Sequence, residues 1–437
     1  MTIKIKDVID IHQLNHASLL MVTGGIRLLT DPWYEGGVFD QGWKLRWHNP
    51  DALDLACTAT HLWISHPHSD HLHYPTLKHI AEKNPDIIVL ANHAYNYDIR
   101  PQLNSLGFRS VISLPEEKMV PLSEECTVQR IGSGSIDSLL IIRTGGMTIL
   151  NLNDCVMQKG ALKKLSTKIG TIDLLFSNFN HAGKLLHFPQ KTPEDVRLSL
   201  TKNYQGSIDI LKPRYAVPFA SFHQYLSPFS LYQNDSLLEP LNLQLAADSS
   251  RIISLYPGQH LQMILAGADK HFSITGSPAA TDNDSTIPIL DEREDMDGKL
   301  QQAIEKFEQR LRYHFGWWRW VLPRLSIKIS DMNKVISMHH GRIQETHDEP
   351  DIEAHAEKLI NWFNQPSGTD AFVVGAHFAI LRPCVGRIKL LFALLLLAEA
   401  KVSPHYCFSP ALWKFILARR HEILAALLSG RVSSSYQ

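Results

Sequence analysis

His66-Pro67-His68-Ser69-Asp70-His71 follows directly on the apolar run Leu62-Trp63-Ile64. The run reads as a buried strand. A helical metal motif is excluded, because Pro67 breaks a helix there and the spacing is not an i, i+4 pair. The hexamer therefore reads as a loop leaving a strand end. His66 and His68, two apart, point to one side, and Asp70 and His71 turn to the other. Such a layout serves two adjacent cations. The competing reading is an ordinary polar loop in a chain with 23 histidines. Random placement would scatter those residues, whereas histidine fills half of this hexamer.

Working outward, Ile11 to Met21, the Gly24-Gly25 turn and Ile26 to Leu29 read as two strands ending at Thr30-Asp31-Pro32-Trp33. His16 sits mid-strand and reads as a satisfied structural histidine rather than a ligand. Asp31, at a strand end, either hydrogen-bonds the histidine loop from behind or serves as a turn residue. The stretch from Trp33 to Trp47 is tryptophan- and glycine-rich, and reads as a flap over the site that brings Trp33 and Trp43 to substrate. A self-packed surface loop is the alternative.

Downstream, Tyr74 to Lys83 reads as a helix and Ile87 to Ala91 as a buried strand, the alternation of an α/β layer. Strands are expected near Val111–Leu114, Cys126–Ile131, Leu139–Arg143 and Met147–Leu152. The last of these runs into Asn151-Leu152-Asn153-Asp154-Cys155. A carboxylate at that strand end can bridge two cations, so Asp154 joins Asp70 as a metal-binding and proton-accepting candidate. A helix over 193–211 and strands over Arg214–Pro218 and His260–Ala266 complete this part.

The pattern His-x-His-x-Asp-His after a strand resembles the metallo-β-lactamase superfamily. Resemblance implies a four-layer αββα sandwich with a mono- or dinuclear site on one edge, His66 and His68 on one metal, Asp70 and His71 on the other. The runs Asn15-His16-Ala17-Ser18, Thr30–Trp33, Ile64–Lys78, Ile149–Cys155, Lys212-Pro213-Arg214 and Val217-Pro218-Phe219-Ala220 look like the metallo-β-lactamase-like part of the CMP-N-acetylneuraminate hydroxylases. They are similar, more distantly, to N-acyl-phosphatidylethanolamine phospholipase D and the ascorbate-phosphate lactonases. The resemblance covers residues 12–265 and no Rieske module.

Two departures stand out. Phospholipase and lactonase relatives carry a third histidine on the first metal; here the corresponding region, Arg130 to Ser135, has none. Relatives also carry a last histidine where this chain has Ser227, and His223, four residues earlier, is the substitute ligand proposed. His181 and His187, near Gly183, are candidates for completing the first metal or contacting substrate.

Composition changes at Gly276, where a polar stretch runs to Gly298. The expected division is a metallo-β-lactamase-like domain over 1–275, a linker over 276–298 and a smaller α+β domain over 299–437. In the latter, helices are expected over Lys299–Tyr313 and around Ile352–Phe363, a strand over Ala371–Leu381, and a last helix from Ser409-Pro410. The aromatic cluster Phe315–Trp320 is expected to pack on the first domain, with lining an apolar substrate channel as the alternative. This half carries no chemical motif; it would dimerise the protein or bind a carrier, a redox partner or the non-reacting part of a substrate.

The 437 residues carry 43 basic and 44 acidic side chains, a balance that points to no nucleic-acid partner. Five cysteines without paired spacing suit a reduced compartment, no Cys-x-His marks a Rieske cluster, and no signal-like leader or 20-residue apolar run is present. A cytoplasmic enzyme on a small-molecule substrate is expected. Two divalent cations, zinc or iron, are implied, and one is also allowed. The leading expectation is hydrolysis of a phosphoester, amide or lactone; next comes a di-iron oxygenase fed by a separate electron donor, then a binding module with a decayed site.

Overall fold

The structure, a computed structural model, describes residues 8–94, 97–133, 137–246, 251–266, 269–282 and 295–399. Two β-sheets face each other. One has eight strands in the order Ser110–Ser113, Ile88–Ala91, His61–Ile64, Ile26–Thr30, Ser18–Thr23, Val8–Asn15, His260–Ala266, Asp269–Thr275. The other has six, Met119–Pro121, Cys126–Ser133, Asp137–Thr144, Met147–Asn153, Leu174–Asn178, Tyr215–Phe219.

Period-two alternation builds the layers. In the strand Asp137–Thr144, Leu140 and Ile142 turn inward to meet Ile9, Ile11, Leu28 and Trp63 of the opposing sheet. Leu139 and Ile141 turn outward, onto helices Lys159–Ile169 and Pro193–Leu211. In the strand His61–Ile64 all four residues are buried, because it runs parallel between two neighbours and is covered on both faces. Its Trp63 faces the other sheet, while Leu62 and Ile64 meet helix Tyr74–Lys83. The result is an αββα sandwich. Each buried Leu or Ile side chain contributes about 1.5–3 kcal/mol.

Local chemistry fixes the ends. Gly24-Gly25 and Gly145-Gly146 all have positive φ and close two-residue hairpins. Thr192 caps the helix Pro193–Leu211, its side chain accepting from the Asp195 amide, with proline in the first turn. His73 caps Tyr74–Lys83 in the same way, accepting from Thr76 N.

A second core lies in the C-terminal part. Strands Arg342–Glu345, Lys334–His339, Leu325–Ile329, Ile352–Ala354 and Ala379–Ile380 form a five-stranded sheet in that order. Helices Met296–Phe315, Ala356–Asn364, Gly368–Val374 and Val385–Glu399 pack against it around Phe307, Trp362, Phe363 and Phe372. This is an α+β unit.

Several expectations need correction. The N-terminal two-strand segment is three strands, because the chain turns at Asn15–Ser18. The strand expected over Ala371–Leu381 is the helix Gly368–Val374 and the two-residue strand Ala379–Ile380; Gly375 and Ala376, with φ +56 at Ala376, break it in two. Trp317 and Trp320 stay exposed, so the aromatic cluster does not pack on the first domain as a whole. Part of the expected linker is built into the first unit: Ala280-Thr281 pairs with Trp47-His48, and the Asp282 amide donates to Arg46 O. Residues 283–294 and the helix expected from Ser409 lie outside the described residues. Among the described residues no helix is long and apolar enough to cross a membrane.

Candidate metal centre

The site forms at the edge where strands end. The histidine loop leaves His61–Ile64, Asp31 follows Ile26–Thr30, and Asp154 follows Met147–Asn153. The loop turns back through His71 N and Leu72 N, both donating to His68 O. Its first carbonyl, Ser65 O, accepts from Asn92 Nδ2 and Ser138 Oγ, each at 2.7 Å. The Ser138 bond ties the strand Asp137–Thr144 of one sheet to the histidine loop of the other, and carries Asp137 with it.

Three groups of ligand-type atoms result, the atoms of each lying within 4.8 Å of one another: His66, His71 and Asp154; His66, His68 and Asp137; His16, Asp70 and His71. Asp154 Oδ2 is 3.4 Å from His71 Nε2 and 3.6 Å from His66 Nε2. Asp70 Oδ2 is 3.3 Å from His71 Nε2 and 3.2 Å from His16 Nε2. His66 Nε2 and His68 Nδ1 approach to 2.8 Å.

The other ring nitrogens are anchored from behind. Asp31 Oδ2 is 3.1 Å from His71 Nδ1, and Ser65 Oγ is 2.9 Å from His66 Nδ1. Asp31 also accepts from Ser65 N and from Asn153 Nδ2 at 2.5 Å. One nitrogen held by a hydrogen bond leaves the other free for the cluster.

Electrostatics follow from burial and proximity. Burial pushes the His66 imidazole well below its ordinary range, against the pull of Asp154. At His71 burial acts in the same direction, but Asp70, Asp154 and Asp31 outweigh it and raise the imidazole well above its ordinary range. Burial would raise Asp70 and Asp154, yet the neighbouring histidines hold both below the usual carboxylate range.

The residues fit a cation. Asp70 Oδ1, Asp154 Oδ1 and both nitrogens of His223 are buried without a hydrogen-bond partner. Orphaned buried polar atoms cost about 1–3 kcal/mol each, which bound cations would offset. His66, His68, His71, Asp70, Asp137, Asp154 and His16 are the residues that would hold them.

The remaining candidates fall beside the cluster. His223 belongs to none of the three groups; its ring lies 5.6 Å from His16 and stacks on Trp43 at 4.0 Å. Trp33 and Trp43 are fully buried, packed with Phe39 and Tyr225, so the expected flap is a fixed wall. The two strands Trp43–Leu45 and His223–Tyr225 pair and hold it down. His181 Nδ1 is 2.8 Å from Tyr225 Oη and its Nε2 is 3.0 Å from Ser236 Oγ; both nitrogens are spent on the framework, which removes it as a substrate contact. His187 is half-buried, pushed down to about 4 by burial and by Lys191 and Lys389, outside the cluster.

Sequence reading missed three residues here. His16 reads as structural from its apolar neighbours, yet its Nε2 lies 3.2 Å from Asp70 Oδ2 and its Nδ1 is unpartnered. Asp137 stands at the start of a strand with no ligand-type residue beside it in sequence to mark it. Asp370, from the C-terminal helix Gly368–Val374, lies 3.5 Å from His68 Nε2 and carries no local signal at all.

The N-terminal part of the chain is similar to known proteins. A family model described as a β-lactamase superfamily domain matches residues 10–177. The chain is 27% identical over 345 residues to the cytidine monophosphate-N-acetylneuraminic acid hydroxylase of Danio rerio, covering 71% of this chain and 56% of that one. It is 31% identical over 247 residues to the Macaca mulatta hydroxylase of the same name, 51% of this chain and 40% of the other. The chain thus spans about half the length of the curated relatives it matches. Among solved structures, an isothiocyanate hydrolase from Delia radicum gut bacteria shows 16% identity and a TM-score of 0.41, over 57% of this chain and 98% of that one. Residues 10–177 supply every residue of the three groups described above, and Asp370 approaches His68 from outside that stretch.

Proposed function

We propose that this β-lactamase superfamily protein is an iron-dependent oxygenase that hydroxylates a small molecule. The observation that carries this reading is Asp137 beside His66 and His68, two residues beyond the Arg130 to Ser135 region where the hydrolytic relatives resembled above carry a third histidine. Two histidines with one carboxylate is the donor set of non-haem iron oxygenases, and the group His66, His71 and Asp154 repeats it. The hydroxylase relatives support the same direction.

When bound, the metals supply dioxygen and redox chemistry; the chain supplies the setting. Asp31 and Ser65 orient the imidazoles, and Asp70 and Asp154 are the carboxylates placed to take or return protons. The buried wall of Trp33, Phe39, Trp43 and Tyr225 excludes bulk water from one side. The net reaction, R–H with dioxygen, two electrons and two protons giving R–OH and water, requires an external two-electron donor.

A second reading, hydrolysis with zinc, is favoured by the nitrogen-rich surroundings of Asp70, where His16 and His71 gather and His223 stands behind His16. Dioxygen uptake separates the two. Iron-loaded protein with a chemical reductant and a panel of nucleotide sugars should consume dioxygen in proportion to hydroxylated product. Zinc-loaded protein turning over phosphodiesters, amides or lactones, with no iron-dependent uptake, would replace the oxygenase reading by the hydrolase one.

A further inference from the structure

We propose that the C-terminal unit completes the metal centre, with Asp370 acting as a positioning residue that orients His68. The inference rests on the cation site proposed above. His66 and His71 each have one ring nitrogen held from behind, by Ser65 and Asp31, and the other turned to the cluster. His68 follows the same rule with its nitrogens exchanged. Its Nδ1 is 2.8 Å from His66 Nε2, facing the cluster, and its Nε2 is 3.5 Å from Asp370 Oδ2. Within the N-terminal sandwich Asp31 serves His71; for His68 the corresponding carboxylate comes from 300 residues along the chain. A carboxylate on the outer nitrogen fixes which nitrogen faces a metal and raises its basicity.

Asp370 is delivered by a seated surface. The helix Gly368–Val374 is held on two sides: the Lys184 amide donates to Val373 O at 3.1 Å, and His377 Nε2 is 2.8 Å from Phe39 O. Next to it, Asn361 Nδ2 donates to both Asp40 oxygens at 2.9 and 3.1 Å, and Lys358 Nζ lies 3.3 Å from Asp40 Oδ2. Backbones touch at Gly42 and Gly375, where a Cβ on Gly42 would fall 2.3 Å from Gly375 Cα. All of these contacts fall on the loop from Trp33 to Trp47 or on Lys184, beside the histidines. The C-terminal unit is therefore seated so that metal binding and its docking are linked.

The test is cobalt binding to metal-free full-length protein, read by the visible ligand-field absorption and by competition with a chelator. Wild type should bind, and Asp370→Asn should bind roughly 10- to 100-fold more weakly with an altered visible band. Its unfolding midpoint without metal should equal that of wild type. Asp370→Glu should recover part of the affinity and restore the band, which a merely structural role would not produce. Asp370→Ser provides the same comparison should the Asn variant fold poorly. Wild-type affinity and an unchanged band in the Asn and Ser variants would overturn the inference while leaving the cation site standing. Failure of wild type to bind cobalt would overturn both.

Discussion

Asp31 Oδ2 stands 3.1 Å from His71 Nδ1, and both side chains are completely buried. The same carboxylate accepts from Ser65 N and Oγ and from Asn153 Nδ2, so one residue organises the ends of three strands. Asp31→Ala leaves those donors buried and unpaired and should cost about 3–5 kcal/mol in urea unfolding. Asp31→Asn tolerates the positive φ of +31 at this position. It should fold, and hold metal roughly 10- to 100-fold more weakly in a chelator competition.

Asp137 is the residue on which the choice of metal turns. Asp137→Ala should release one of two bound irons, measured by elemental analysis after gel filtration. Asp137→His should shift preference toward zinc, because three imidazoles favour that ion. Unchanged iron content in the alanine variant would remove Asp137 from the donor set.

Much of this centre was legible in the sequence, and the limits have physical causes. Pro67 and the histidine spacing fixed a loop at a strand end, and Asp154 followed from a strand expected to stop there; both are local patterns. The period-two alternation of Leu139 to Ile142 gave the sandwich in the same way. Asp137 and Asp370 were not legible, since each reaches the site through long-range contacts, one across the sheets by Ser138 on Ser65 O and the other from a second core. His16 looked structural because a histidine amid apolar neighbours usually is. In Trp33 and Trp43, glycine-rich surroundings suggested mobility, whereas pairing of Trp43–Leu45 with His223–Tyr225 buries them.

Trp43 stacks on His223 at 4.0 Å and lies edge-on to Phe39 and Tyr225. As a wall residue, its truncation to alanine should cost about 3–5 kcal/mol of stability, read in urea unfolding. A mobile substrate flap would instead lose turnover with stability intact.

Lys184 offers a pH test independent of the metals. Its amine is buried, donates to Phe229 O at 2.6 Å, lies 5.0 Å from the Tyr232 ring centre, and is pushed down by burial from 10.5 to about 7. Between those values the unfolded chain holds a proton that the folded chain has shed, so stability rises with pH. The contribution is complete above 10.5 and is lost as pH falls through about 7. The slope is at most about 1.4 kcal/mol per pH unit. Lys184→Met should flatten the rise in urea midpoint between pH 7.5 and 10; parallel curves for the two proteins would contradict this.

Gly42 lies against Gly375, with no room for a Cβ. Gly42→Ala should lift the C-terminal unit from the loop that carries Phe39 and Asp40. Increased protease cleavage between the two units, compared with wild type, is the expected readout.

The central claim is that His66, His71 and Asp154 converge on a bound cation. Crystals loaded anaerobically with iron, with data collected at the iron edge, test it most directly. The account predicts an anomalous peak among those three side chains and its loss in Asp154→Asn. A well-ordered map with no peak there, at full iron exposure, would contradict it.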